Sequence, residues 1–339
     1  MAVRSRSPRP VVLAEPEAAT ESDQPSRQSS RPGRPVRSRL TRRVLRSLDA
    51  GAVIGVFCVL MVLPSGVTRL SSSDGMETAG LKGTVSVLQI RGPSDRQRHP
   101  VWVWRPPGPD SATIPVVYFL HGYPGTAQDP FQYGLAQDLD KLLDEGYPPF
   151  VFASVDGNGE RHSDTEWANS YNGSEQVMDR VVDAAIPAVE GTHMRDAAHR
   201  AIAGFSMGGY GAMNIAMQDP GVFGQVVSIS GYFVVNDLSD MFGGRPSVIA
   251  ANTPSAHPWR ARGMDILLEE DASDPYSLIR GQAAEMAGLL RKSHVPVTVH
   301  VMPGTHDWAY AMRALQYAFG FLDGNWRAAA AADTGWNLG

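Results

Sequence analysis

Ala201-Ile202-Ala203-Gly204-Phe205-Ser206-Met207-Gly208-Gly209-Tyr210-Gly211-Ala212 is the stretch on which the reading of this chain turns. A Gly-x-Ser-x-Gly string alone is a weak pattern, but its neighbours sharpen it. A short apolar run precedes it, and residues 208–217 read as a helix after it. The spacing predicts strand, sharp turn and helix, the arrangement of a nucleophile elbow. A glycine on either side of the serine lets strand and helix approach without Cβ clashes. Ser206 Oγ then projects above the sheet beside a helix N-terminus, where developing negative charge is favoured. The competing reading is a buried structural serine.

An elbow needs an oxyanion hole. One donor is expected from the N–H of Met207, the residue after the nucleophile, and a second from a loop after an early strand. Residues 116–120 (VVYFL) run into His121-Gly122-Tyr123-Pro124-Gly125, which makes the Tyr123 N–H the second candidate donor. His121 reads as a histidine that orients this loop through hydrogen bonds rather than as the base. The base belongs after the last strand. Residues 297–302 lead into Pro303-Gly304-Thr305-His306-Asp307-Trp308, and His306 is chosen over His294 and His300 because it alone lies on the loop beyond that strand. The orienting acid should leave the end of the preceding strand, residues 266–268. Glu269 and Glu270 read as completing or capping that strand. Asp271 and Asp274 remain, and Asp274, extended before Pro275, is preferred.

Further out, residues 83–90 and 101–105 read as an opening hairpin. Continuous apolar runs follow at 115–120, 150–155, 201–203, 226–229, 266–268 and 297–302. Helical stretches at 175–190, 208–217 and 307–322 separate several of them. Apolar strands interleaved with helices imply an α/β fold: a mostly parallel central sheet with helices on both faces. Residues 232–259 read as an irregular cap over the site.

The 339 residues carry a net charge of −5, unevenly spread. Residues 1–47 hold eleven Arg against four acidic residues and read as a disordered, cytoplasmic Arg/Pro/Ser-rich tail. The folded remainder is acidic, so no nucleic-acid partner is expected. Residues 50–68 contain no charge and would span roughly 28 Å as a helix, against a bilayer core of about 30 Å. With Arg39, Arg42, Arg43 and Arg46 before it, residues 48–69 are expected to be a transmembrane signal-anchor helix with the catalytic domain outside. A cleaved signal peptide, giving a secreted protein, is the alternative. A linker at 70–82, a catalytic domain at 83–325 and a C-terminal tail at 326–339 complete the organisation. The single cysteine, Cys58, excludes intramolecular disulfides and a Cys-based zinc cluster. Gly157 and Gly159 lack the third glycine of a dinucleotide fingerprint, and no His-Glu-x-x-His or P-loop string occurs.

His121-Gly122, Asp156-Gly157-Asn158-Gly159, Trp167-Ala168-Asn169-Ser170, residues 203–212, Val227-Ser228-Ile229-Ser230-Gly231 and Gly304-Thr305-His306-Asp307-Trp308 together resemble the esterase D / antigen 85 group of α/β-hydrolases. The resemblance covers roughly residues 83–322. It implies a serine hydrolase or acyltransferase acting on carboxylic esters or thioesters, without metal or organic cofactor. Ser206, Asp274 and His306 then take the triad roles, and Met207 and Tyr123 the oxyanion hole. Trp167 and Tyr232 either line the acyl or alcohol pocket or serve as ordinary packing aromatics. The expected partner is a small or lipid-like ester, with the membrane engaged through the N-terminal helix. Hydrolysis, acyl transfer and a non-catalytic cell-envelope binding module on the same fold remain the three functional readings. Oligomeric state is left open.

Overall fold

The computed structural model describes residues 82–335. The predicted tail, the transmembrane helix, the linker up to residue 81 and residues 336–339 lie outside the described residues. Among the described residues no helix is long and apolar enough to cross a membrane.

In chain order the elements are β1 (Thr84–Ile90), β2 (His99–Arg105), β3 (Val116–Leu120), α1 (Asp129–Gln132), α2 (Leu135–Asp144), β4 (Val151–Val155) and α3 (Val177–Asp179). A π turn (Arg180–Ala185) leads into α4 (Ile186–Glu190). Then come β5 (Arg200–Phe205), α5 (Met207–Gln218), β6 (Gln225–Ile229), α6 (Pro246–Ala251), β7 (Asp265–Asp271), α7 (Gln282–Lys292), β8 (Val297–Met302) and α8 (Trp308–Gly335). The eight strands form one sheet ordered β1-β2-β4-β3-β5-β6-β7-β8. The β1–β2 and β2–β4 pairs are antiparallel, and every pair from β4 to β8 is parallel.

The runs of β3, β4, β5, β6 and most of β7 are apolar because both faces of the sheet are covered there, whereas the edge strand β8 is only partly buried. Successive side chains point to opposite faces, and the two cores divide β3 accordingly. Val116, Tyr118 and Leu120 pack with α4, α5 and α7, while Val117 and Phe119 pack with α2 and α8. The helices answer with helical spacing: Leu135, Leu139 and Leu142 on α2, and Ala311, Ala314, Leu315, Ala318, Phe319 and Leu322 on α8. Burying one such Leu or Phe contributes about 1.5–3 kcal/mol.

The last helix departs from expectation. It runs past residue 322 and through much of the segment read as a tail, to Gly335. The run of five alanines at 328–332 has the highest helix propensity of any residue type, and Trp326 packs its ring against Phe150.

Parallel strands put all their carboxyl ends at one edge of the sheet. The loops after β3, β5, β7 and β8 therefore meet there, although they come from distant parts of the chain.

Candidate active site

Ser206 sits between β5 and α5 with φ 58° and ψ −119°, a conformation that costs a non-glycine residue roughly 1–3 kcal/mol. Its neighbours hold it there. The Ser206 N–H donates to Ile229 O at 2.8 Å, and the Tyr210 N–H to Ser206 O at 3.1 Å. The two flanking glycines are demanded by contact. A Cβ on Gly204 would lie 2.1 Å from Gly208 O, and one on Gly208 would lie 1.9 Å from Leu120 O. Met207 opens α5, so its N–H has no partner within the helix. Gly122 brings the loop after β3 against the nucleophile, since a Cβ there would stand 3.2 Å from Ser206 Cβ.

That loop is fixed from below by His121, which is fully buried. The Gly157 N–H donates to its Nε2 at 3.0 Å, so the proton rests on Nδ1, 2.8 Å from Gly122 O. The Trp167 Nε1–H donates to His121 O at 3.0 Å. Both ring nitrogens are thus engaged by loop backbone, as expected for an orienting histidine.

His306 lies on the loop between β8 and α8 at φ 55°. Its Nε2 is 2.9 Å from Ser206 Oγ, and its Nδ1 is 2.7 Å from Asp274 Oδ2. The Asp274 side chain is fully shielded from solvent, and its other oxygen accepts the Tyr276 N–H at 2.9 Å. Asp271, the other acid that the sequence leaves open, ends β7 and takes a different task. Its Oδ2 accepts the His306 N–H at 2.6 Å and its Oδ1 the Ser273 N–H at 2.8 Å. One aspartate holds the ring and the other holds the backbone beneath it. Asp307 caps α8 by accepting the Tyr310 N–H. That hydrogen bond, followed by one from Thr305, holds its carboxyl below the usual range.

The imidazole is framed by two rings that sequence reasoning did not single out. Phe205 lies 4.9 Å away between centroids and Tyr276 4.8 Å, edge-on. Phe205 is the variable residue inside Gly-x-Ser-x-Gly, where only the fixed residues carry a motif signal, and Tyr276 lies just beyond Asp274-Pro275. A cavity of about 200 Å³ surrounds Ser206 and His306, walled by Tyr123, Pro124, Phe205, Tyr276 and Trp308. Beyond Tyr123 a second cavity of about 340 Å³ is lined by Arg161, His162, Ser163, Asp164, Leu238 and Ser239.

The pocket role considered for Trp167 and Tyr232 needs correction: neither lines these cavities. Trp167 is wholly buried, packed against Gly157 and Gly211. Tyr232 stacks on Tyr210 at 4.9 Å and donates its hydroxyl to the Glu166 carboxylate. Burial, reinforced by Asp164, pushes Glu166 up to about 8. The segment expected to cap the site contributes Leu238 and Ser239 to the second cavity and nothing to the wall around Ser206.

The family model described as "Putative esterase" matches residues 95–322. Among solved structures, a ferulic acid esterase is 21% identical, with a TM-score of 0.63 over 73% of this chain and 99% of its own. An S-formylglutathione hydrolase from Agrobacterium tumefaciens is 17% identical, with a TM-score of 0.59 over 72% of this chain and 96% of its own. MPT51 of Mycobacterium tuberculosis is 19% identical, with a TM-score of 0.55 over 71% and 98% respectively. At such identities the likeness is one of fold.

Proposed function

The chain belongs to the esterase family whose model it matches, and on that premise we propose that it is a membrane-anchored, extracytoplasmic serine hydrolase of the esterase D / antigen 85-like group. It cleaves carboxylic esters or thioesters through Ser206, His306 and Asp274. The observation that carries this reading is the continuous path from Asp274 Oδ2 through both nitrogens of His306 to Ser206 Oγ, with steps of 2.7 and 2.9 Å.

Asp274 holds the Nδ1–H tautomer, leaving the Nε2 lone pair facing the hydroxyl. As Ser206 Oγ attacks the carbonyl carbon, its proton passes to Nε2. The carbonyl oxygen becomes an oxyanion that accepts from the Met207 and Tyr123 N–H groups, and losing one such donor costs about 3–4 kcal/mol. When the C–O or C–S bond breaks, the Nε2 proton goes to the leaving group. Water then repeats the sequence on the acyl-enzyme, releasing the acid and restoring Ser206.

The 200 Å³ cavity is smaller than the roughly 300–1,000 Å³ of sites that enclose a drug-sized ligand. A short acyl group fits it, while the polar cavity beyond Tyr123 takes a hydrophilic leaving group or acceptor. The anchored, external location rests on the uncharged run at residues 50–68 and the arginines before it.

The full-length protein should be labelled by a fluorophosphonate probe, and Ser206→Ala should abolish labelling. It should also hydrolyse short p-nitrophenyl esters faster than long ones. A folded wild-type protein that takes no label would refute the reading and leave the binding-module alternative. Product ester exceeding free acid when an alcohol is added would identify a transferase. Membrane fractionation of expressing cells, with protease added to intact cells, tests the anchor.

A further inference from the structure

Asp156-Gly157-Asn158-Gly159 follows β4, and none of these four residues lines the cavity around Ser206. We propose that Asn158 nevertheless serves the reaction, as a positioning residue that holds the Tyr123 N–H in the oxyanion hole. The inference rests on the serine-hydrolase reading above and adds to it a residue that touches no substrate atom.

The orientation of the Asn158 amide is forced by its surroundings. Nδ2 lies 2.9 Å from Gly125 O and 2.8 Å from Asp156 Oδ1. A backbone carbonyl can only accept, so the nitrogen of the amide, not its oxygen, must face Gly125. Its two hydrogens are then both used, on acceptors from the loop after β3 and the loop after β4. Among the described residues, Asn158 is the one hydrogen-bond donor to the Gly125 carbonyl.

Gly125 matters because of what it packs on. A Cβ there would lie 2.5 Å from Gly122 O and 3.1 Å from His121 Nδ1. Gly125 therefore sits directly against the carbonyl of the peptide that joins Gly122 to Tyr123. That peptide is planar, with C=O and N–H pointing in opposite directions. Its oxygen is held between Gly125 and the His121 ring, 2.8 Å from Nδ1, and its N–H, which belongs to Tyr123, is turned away from both. A shift of Gly125 tilts the whole plane, and the Tyr123 N–H moves with it.

Asn158 in turn stands on a fixed base. Arg180, fully buried at the start of the π turn, donates from Nη1 to Asp156 O and to Asn158 O, each at 3.0 Å. Its Nε and Nη2 grip the two oxygens of Asp95 at 2.7 and 2.8 Å. The Thr165 hydroxyl donates to Gly157 O at 2.8 Å. Support of this kind keeps a catalytic group within about 0.5 Å of its productive position.

The test compares the full-length wild type with Asn158→Ala and with Asn158→Asp, which has the same shape but no N–H for Gly125. Removing an oxyanion donor costs about 10²–10³ in rate, and misplacing a group by about 1 Å costs about 10². Loosening the loop should therefore lower kcat on p-nitrophenyl acetate by about 10- to 100-fold, with KM within about twofold of wild type. Affinity for a trifluoromethyl ketone, whose adduct with Ser206 carries the same oxyanion, should fall by the same factor. The pH midpoint of kcat should stay in place, because the contacts of His306 with Asp274 and Ser206 are untouched. Asn169→Ala, which deletes a side-chain bond to Asp179 in another loop, should lower the thermal midpoint but not kcat or inhibitor affinity. Wild-type kcat and inhibitor affinity in both Asn158 variants would overturn the proposal. So would a loss confined to KM, an equal loss of kcat in Asn169→Ala, or failure of both Asn158 variants to fold. Fluorophosphonate labelling keeps the two readings apart: an unlabelled wild type refutes the hydrolase, whereas a labelled wild type with unaffected variants refutes only the role of Asn158.

Discussion

Asp274→Asn offers the sharpest test of the site, because it changes one atom and inverts one hydrogen bond. In the wild type, Asp274 Oδ2 accepts from His306 Nδ1 at 2.7 Å in a position closed to water. An asparagine of the same shape turns either its NH₂ or its oxygen toward Nδ1. Asp274 Oδ1 already accepts the Tyr276 N–H at 2.9 Å, and an asparagine oxygen is needed there to keep that bond. The NH₂ is then left facing the imidazole. Nδ1 must become the acceptor, the ring proton moves to Nε2, and Nε2 now points a hydrogen rather than a lone pair at Ser206 Oγ, 2.9 Å away. A triad in the wrong tautomer loses about 10⁴ in kcat, equivalent to about 5.4 kcal/mol at about 1.36 kcal/mol per factor of ten. Asp271→Asn is the matched control. Its single carbonyl oxygen can accept from the His306 or the Ser273 N–H but not from both; the loss falls on loop backbone and leaves the ring tautomer intact, so kcat should fall by about tenfold, far less than in Asp274→Asn.

The assay is hydrolysis of p-nitrophenyl acetate by the full-length protein at pH 7.5, with thermal midpoints to show that each variant is folded. Retention of wild-type kcat by Asp274→Asn, or a larger loss in Asp271→Asn than in Asp274→Asn, would refute the division of labour between the two aspartates.

Gly208→Ala should yield little folded protein, since its methyl would lie 1.9 Å from the Leu120 carbonyl oxygen, in backbone that cannot move aside; soluble yield and circular dichroism read this out. Tyr276→Ala removes the ring edge against His306 and should lower kcat by about tenfold, in proportion to about 1–1.5 kcal/mol for an aromatic pair, while leaving the thermal midpoint nearly unchanged. Burial pushes Glu269 up to about 8 from an ordinary 4.5, so between those values the folded chain binds a proton that the unfolded chain has lost, and stability falls as pH rises. Thermal midpoints taken from pH 5 to pH 8.5 should therefore decline, and Glu269→Gln should flatten that decline without removing it, because Glu166 titrates in the same direction.

Legibility in the sequence followed the range of the forces involved. The elbow is readable because its constraints are local: the glycines at 204 and 208 answer contacts within one strand–turn–helix and its neighbouring strand. The inner strands are readable because burial on both faces leaves an uninterrupted apolar run. His306 could be found because a loop after the last strand is a position as well as a residue type. The choice between Asp271 and Asp274 could not be made from spacing alone. Both leave the same strand end, and what separates them is which oxygen meets a ring and which meets an amide. Tyr276 and Phe205 were missed for a related reason: an aromatic beside a motif looks like packing until the imidazole it touches is located. Trp167 illustrates the converse. It sits in a conspicuous motif, yet it fills the space left by Gly157 and Gly211.

The strain at the site has a common origin. Ser206 and His306 both hold positive φ without being glycine, and each is fastened by a neighbouring strand: Ser206 through its N–H to Ile229 O at the end of β6, His306 through its N–H to Asp271 at the end of β7. Parallel pairing carries the rest. Phe205 is level with Ile229, Ile229 with Glu269, and Asp271 with Met302. A displacement of β7 by one residue would exchange its two faces and turn the Asp271 carboxylate away from the His306 amide. The hydrophobic alternation that sorts Ile266 and Leu268 to one core and Leu267 to the other therefore fixes the register, and with it the backbone under the imidazole.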